Sequence, residues 1–377
     1  MQMKEQGTRG DNVESLVAVA EQFKTQGRVV EIREFGSGNI NDTFLVTLDS
    51  GSEKHFILQR INTGVFRQPE LVMQNMRILT EHVQNRLQRM PLPSGRRWEV
   101  PRVLPTHDAR SYWSDVGGSF WRAISFIDAA RSFDTIQDMN HAAEIGYALG
   151  MFHDLVSDLP SEKLVDTLQG FHVTPRYLTH FDEVLAESDF DRSPEVKHCL
   201  KFIQERRAWA HVLENARMGG RLHLRPIHGD PKVNNVMIDS VTRQAVGIVD
   251  LDTVKPGLVH YDIGDCLRSC CNPLGEEAER WEAVRFEPDL CRIILRSYLS
   301  FANGFLTAGD YEYLYDAIRL IAFELGLRFF TDCLEGNIYF KVRYREHNLA
   351  RALVQFKLVE SIEFQAKAIS AIIQEMK

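Results

Sequence analysis

Hydrophobic positions near the start of the chain fall first on a helical and then on an alternating pattern. Val13, Leu16, Val17, Ala20 and Phe23 recur at helical spacing and predict a helix over 13–24. Extended runs follow at 29–35, 44–48 and 56–61. Between them stand the turn formers Gly36-Ser37-Gly38-Asn39-Ile40-Asn41-Asp42-Thr43 and Asp49-Ser50-Gly51-Ser52. Strand, polar turn, strand, turn, strand reads as an antiparallel meander, not as a βαβ unit. Pro69 should open a helix running to about Met90, with Leu71, Met76, Leu79 and Val83 on its inner side. The stretch 91–105, rich in Pro, Gly and Arg, predicts a loop, and 112–113 and 119–127 predict two more strands. From Ile136 onward the spacing is helical, broken around 226–252, where 225–227, 236–238 and 245–249 are short extended candidates. The pattern predicts an α+β fold, with a β-rich lobe over 1–127 and a mainly helical lobe over 128–377.

Composition narrows the class without naming a chemistry. A chain of 377 residues can bury a substantial core across two lobes. Its 44% hydrophobic and 25% charged residues are those of a soluble globular protein. Forty-four basic against 52 acidic side chains leave a formal charge of −8, and no basic stretch interleaves with aromatics, so nucleic acid is not an expected partner. No run approaches the roughly 20 apolar residues of a membrane span, and residues 1–30 lack the apolar core of a signal peptide. A cytoplasmic protein with no membrane partner is expected. The six cysteines form no C-x-x-C pair, and the cluster Cys266, Cys270, Cys271 has no histidine or second pair to complete a zinc pattern. They are expected to be buried free thiols. Oligomeric state is left open.

The chemistry is concentrated between 228 and 252. His228-Gly229-Asp230 is followed by Asn235 and, at the end of Gly247-Ile248-Val249, by Asp250. Phosphoryl transfer needs a group to orient the attacking hydroxyl, oxygens to hold Mg²⁺, and a cover for the nucleotide phosphates. Asp230 can take a hydroxyl proton, Asn235 offers a neutral carbonyl oxygen, and Asp250 offers an anionic one; hard Mg²⁺ accepts such ligands and leaves its other positions to phosphate and water. Gly36-Ser37-Gly38 is a candidate phosphate loop, although it lacks the third glycine of G-x-G-x-x-G. Asn39, Asn41 and Asp42 beside it could reach phosphate, substrate or the loop backbone. His153 and His228 are expected to hold structure.

H-G-D-x-x-x-x-N followed by V-D-L-D resembles the aminoglycoside phosphotransferase (choline kinase-like) superfamily. That resemblance implies a bilobal, protein-kinase-like fold with ATP between the lobes and its adenine against 126–128. It implies Asp230 as catalytic base and Asn235 and Asp250 as Mg²⁺ ligands, with Gly36, Ser37, Gly38, Asn39, Phe126 and Ile127 at the nucleotide. Asp262 and Asp265 correspond to the family's acidic segment after the metal loop, where bracing hydrogen bonds are expected. Further runs, Gly38 to Phe44, Phe56 to Asn62, Asp230 to Val236, Glu324 to Asp332 and Gly336 to Phe340, resemble the family's N-acetylhexosamine kinases. They imply a small-molecule sugar substrate and a sugar contact from Asp42.

One departure from the kinase pattern stands out. The third strand should carry a lysine that binds phosphates and pairs with a helix glutamate. Residues 56–62 offer Gln59 and Arg60 instead, and the glutamate position holds Asn75. Alternation puts Leu58 and Arg60 on one face and Gln59 on the other. Arg60 is the preferred nucleotide contact; the alternative has Gln59 lining the pocket. At the acceptor end, Arg328 and Asp332 lie four apart on one predicted helix face and could bind ring hydroxyls or an N-acetyl carbonyl, or form an exposed ion pair. A cation there argues against a polycationic acceptor. Tyr339 could offer a flat face to a sugar or belong to the core. The rival readings are a kinase of an amino alcohol, homoserine or an aminoglycoside, and a non-catalytic nucleotide-binding protein.

Overall fold

A computed structural model of the chain describes residues 13–36, 40–90, 92, 95–187, 193–302 and 304–377. Two compact units divide it. One runs to Met73 and resumes over Pro101–Ile127; the other joins Gln74–Val100 to Asp128–Lys377. Residues 74–100, expected in the first lobe, belong with the second. Asn75 illustrates the reason: its amide donates to Val165 O at 2.7 Å and Val254 O at 3.0 Å, and accepts from Val165 N at 2.9 Å. The position where a kinase glutamate is expected is here a strut within the larger unit.

The smaller unit begins with α1 (Val13–Ala20) and the meander β1 (Val29–Glu34), β2 (Asp42–Leu48) and β3 (His55–Ile61). The helix α2 (Pro69–Arg89) follows, passing into the larger unit after Met73, and the smaller unit resumes with β4 (Val103–Leu104), β5 (Trp113–Ser114) and β6 (Phe120–Ser125). The strands form one antiparallel sheet in the order β1-β2-β3-β6-β4, with β5 also paired to β6. β4 lies inside the stretch that reads as a loop in the sequence. Side chains alternate across the sheet. Phe44, Val46, Leu48, Phe56, Leu58, Trp121 and Ala123 pack on one face against Leu16, Val19, Ala20 and Phe23. Burying each large apolar side chain is worth roughly 1.5–3 kcal/mol, so α1 decides which face is core. The other face carries the cross-strand row Leu45, Ile57, Ile124 and, one step along, Thr43, Gln59, Arg122.

Beyond Gln74–Val100, the larger unit continues with β7 (Ala130–Arg131), α3 (Met139–Val156), α4 (Thr174–Glu187), α5 (Pro194–Arg206) and α6 (Val212–Met218). Then come β8 (Arg225–Ile227), β9 (Val236–Asp239), β10 (Ala245–Ile248) and β11 (Lys255–Gly257). The chain ends in α7 (Val259–Cys270), α8 (Pro288–Ala302), α9 (Ala308–Glu312), α10 (Leu314–Leu334), α11 (His347–Phe364) and α12 (Ala366–Gln374). β10-β9-β7 and β11-β8 are two small antiparallel sheets. Every residue of α7 is buried, and α10 is buried on most sides between α11, α7 and α4. A helix enclosed all round is a scaffold rather than a surface element, and both of these carry residues of the site. No helix among the described residues is long and apolar enough to cross a membrane.

Candidate active site

The loop between β8 and β9 is fixed by its backbone. Gly229 has φ +87°, and a Cβ there would stand 2.7 Å from Thr253 O, so only glycine fits. From the buried helix α7, Asp262 accepts from His228 N at 2.7 Å and Gly229 N at 2.8 Å, and its Oδ2 also meets His153 Nε2 at 2.9 Å. Asp262 is thus the brace that the sequence suggests. Its neighbour Asp265 pairs with Arg268 at 2.7 Å. His228 accepts from Asp230 N through Nδ1 at 3.2 Å, which leaves Nε2 to donate to Val249 O at 3.0 Å. Burial lowers its pKa against the opposing charge of Asp262. A neutral imidazole with both nitrogens committed to backbone is a positioning group, not an acid. His153 likewise spans Asp262 and the Tyr298 hydroxyl.

Asp230 emerges from this loop beside two donors. Lys232 Nζ lies 2.8 Å from its Oδ2. Asn235 Nδ2 donates to the same oxygen at 3.2 Å and to Asp230 O at 2.8 Å. Both side chains converge on Oδ2, which leaves Oδ1 to meet a hydroxyl. Burial alone would lower the Lys232 pKa, but Asp230, Glu276 and Asp250 outweigh it and hold the ammonium charged. Asp250 follows β10 in the left-handed region, φ +66°, a conformation that Asp tolerates better than most residues. The residue types suit Mg²⁺: Asn235 has its nitrogen turned to Asp230 and so presents Oδ1, and Asp250, whose charge acts on Lys232, carries an anionic oxygen. Lys232 was legible in the sequence as the cation two residues past Asp230, yet the motif alone gave it no role.

Arg328, on α10, is enclosed by aromatic rings. Its guanidinium carbon lies 5.0 Å from the Phe171 centroid, 5.2 Å from Tyr177, 5.4 Å from Phe340 and 5.8 Å from Tyr339. Burial opposes its charge, but Tyr177, Tyr339, Glu324 and Asp230 hold its pKa above the ordinary value. Asp230 and Arg328 are therefore within electrostatic reach of each other. Tyr339 is 40% exposed, so its ring is not a core ring. Asp332 requires a correction. Its carboxylate is 2% exposed and accepts from Tyr339 N at 2.7 Å, Phe340 N at 3.0 Å and Asn348 Nδ2 at 2.8 Å. It shapes the segment that carries Tyr339 instead of binding sugar, because a carboxylate committed to two backbone donors and a buried amide has little left to offer.

One link had no signal in the sequence. His172 Nε2 meets Gly229 O at 2.7 Å while Nδ1 meets Glu324 at 2.9 Å, and Thr174 donates to the same carboxylate at 2.8 Å. Glu324 lies one helical turn before Arg328, and Phe171 is part of the Arg328 cage. Residues 171–172 therefore tie the aromatic cage around Arg328 to the loop that carries Asp230.

In the smaller unit, Gly36 sits at φ +79° with open space around it. Ser37, Gly38 and Asn39 lie outside the described residues. Phe126 meets the rings of Phe35 and His55 edge-on at 5.8 and 5.7 Å. Ile127 is 4% exposed, so its side chain belongs to the core. Arg60 is a second correction. It bonds Asp42 Oδ2 at 2.7 Å and lies 5.4 Å from the Trp121 ring. Asp42, Arg60 and Trp121 form one cross-strand row on the face covered by α1. Asp42, expected at the sugar, is thus the ion-pair partner of Arg60. Gln59, the alternative, is on the opposite face.

A β-sheet unit joined to a helical unit, with a base, an amide and a metal-type carboxylate spaced around two short strands, defines a small-molecule phosphotransferase. The model of the phosphotransferase enzyme family (APH) matches residues 31–292, and the chain belongs to that family. Solved structures share the fold. A microcompartment-associated aminopropanol kinase is 15% identical, with a TM-score of 0.60 over 96% of this chain and 100% of that one. Choline kinase from Cryptosporidium parvum Iowa II is 12% identical, with a TM-score of 0.58 over 96% and 98%. A spectinomycin phosphotransferase, solved with ADP and spectinomycin, is 13% identical, with a TM-score of 0.57 over 94% and 98%.

Proposed function

We propose that the protein moves the γ-phosphoryl group of ATP, with Mg²⁺, to the anomeric hydroxyl of N-acetylglucosamine or N-acetylgalactosamine, as an N-acetylhexosamine 1-kinase does. The observation that carries this reading is the occupied cage around Arg328. Four aromatic rings around one point are what a quaternary or primary ammonium acceptor would seek. Here a protein guanidinium already fills that place, so a second cation would be repelled. What remains is a planar fork of N–H donors suited to a carbonyl oxygen or ring hydroxyls, beside the partly exposed ring of Tyr339.

Asp230 Oδ1 receives the proton of the acceptor hydroxyl as its oxygen bonds the γ-phosphorus and the bond to the β–γ bridging oxygen breaks. Lys232 stays protonated beside Asp230 and opposes the negative charge on the phosphoryl oxygens. Asn235 and Asp250 would hold Mg²⁺, which neutralises the phosphates when bound.

A coupled ADP-release assay with a panel of acceptors tests the reading. Turnover should appear with the two N-acetylhexosamines and be at least about tenfold weaker, in kcat/KM, with ethanolamine, choline, homoserine and kanamycin, a loss of one ion-sized discrimination. Efficient turnover confined to an amino alcohol or aminoglycoside would reject the sugar and keep the phosphotransferase.

A further inference from the structure

The last two peptide planes before Asp230 are each held at both ends. In the first, Gly229 N donates to Asp262 Oδ1 at 2.8 Å and His228 O accepts from Thr253 Oγ1 at 2.8 Å. In the second, Asp230 N donates to His228 Nδ1 at 3.2 Å and Gly229 O accepts from His172 Nε2 at 2.7 Å. A peptide is planar and a glycine is the loosest residue a loop can hold, so these bonds decide where Asp230 points. His172 stands between two acceptors. Its Nδ1 meets Glu324 Oε1 at 2.9 Å, and the other Glu324 oxygen accepts from Thr174 Oγ1 at 2.8 Å. A neutral imidazole has one N–H and one lone pair, so it can satisfy the carboxylate or the carbonyl but not both. Acceptor oxygens on both nitrogens call for the doubly protonated ring.

We propose that His172, as an imidazolium anchored on Glu324, positions Asp230 through the Gly229–Asp230 peptide. The inference rests on the phosphotransferase reading. His172 is a positioning residue in this role: it sets the direction of the carboxylate that takes the hydroxyl proton. Its surroundings agree. Burial opposes the charge, but Glu324 of α10, Asp265 of α7 and the Gly229 carbonyl outweigh it and raise the pKa above the ordinary 6.5. Tyr261 of α7 lies 5.4 Å from the ring, and Tyr177 of α4 reaches the His172 backbone; burial raises the pKa of both phenols and keeps them neutral. His172 also sits at φ +65°, a left-handed conformation that costs strain and persists where the surroundings over-determine it. The charge is complete below about 6.5 and is lost as pH climbs through the raised value. One nitrogen then turns a lone pair toward an oxygen, and the clamp on the peptide or its anchor is gone.

Nitrogen NMR of the wild-type imidazole reads the charge directly. Both ring nitrogens of His172 should carry a proton at about pH 7, and one should lose it in the alkaline range. A ring with a single protonated nitrogen at about pH 7 would overturn the proposal. The positioning role is read in the ADP-release assay with the best acceptor of the panel. At about pH 7 the kcat of His172→Gln should lie about tenfold or more below wild type, the cost of a misaimed base, with the ATP KM within about twofold. The gap should close as pH rises, because only the wild type has this charge to lose. A ratio of kcat values that is constant with pH, or a loss confined to the ATP KM, would also overturn it. If His172→Gln does not fold, the wild-type kcat is followed beside the nitrogen titration. The two should fall together, and a kcat that stays level while His172 loses its proton would refute the role. A wild type that phosphorylates no acceptor would instead sink the phosphotransferase reading, while the nitrogen spectrum still decides the charge of His172.

Discussion

Asp230 is held from three sides by groups of its own loop. Its backbone N–H bonds His228, and its Oδ2 takes both Lys232 and Asn235. A base so placed costs little reorganisation when a hydroxyl arrives. Asp230→Asn keeps the shape and removes the base. Turnover should fall by about 10²–10⁴-fold while Mg-ADP affinity stays within about twofold. Loss of nucleotide binding in a folded variant would move Asp230 from proton transfer to binding. The closeness of Asn235 to Asp230 was legible in the sequence because their spacing is local. Lys232 was visible beside them but ambiguous, since nothing in a linear motif says that an ammonium turns back toward Asp230. Asp332 and Asp42 misled for the same reason in reverse. A carboxylate in a good position reads as a ligand until its hydrogen-bond partners are known.

At the scale of elements, strand alternation was readable and strand docking was not. The sequence placed Gln59 and Arg60 on opposite faces correctly. Choosing between the faces depends on where α1 packs, and that is a tertiary fact decided by Phe44, Val46, Phe56 and Leu58. β4 and β7, each two residues long, were missed because so short a pairing leaves no periodicity. The link from α10 to the catalytic loop through His172 joins residues 57 and 152 positions apart in sequence. Burial alone would lower the His172 pKa, but Glu324 outweighs it and raises the value above the ordinary 6.5. A raised folded-state pKa stabilises the protein fully below about 6.5 and loses that contribution as pH climbs through the folded value. The excess melting temperature of the wild type over His172→Gln should therefore be larger at about pH 6 than at about pH 9. An excess independent of pH would show the His172–Glu324 contact to be uncharged.

For the molecule as a whole, one division of labour follows from the two units. In the proposed reaction the helical unit supplies the proton acceptor Asp230, the candidate Mg²⁺ oxygens of Asn235 and Asp250, Lys232 and the Arg328 cage. The sheet unit offers a face with a polar ladder and an apolar row. Phosphoryl transfer follows from the first set together with family membership. The acceptor follows from Arg328 alone, which makes it the part of the account most worth testing. Phosphorus NMR of the product formed from ATP and N-acetylglucosamine is the most direct measurement. A new phosphate monoester coupled to the anomeric proton, with loss of the reducing end, is the result expected. A phosphate coupled to the C6 methylene protons, or no sugar product while an amino alcohol is phosphorylated, would contradict the account.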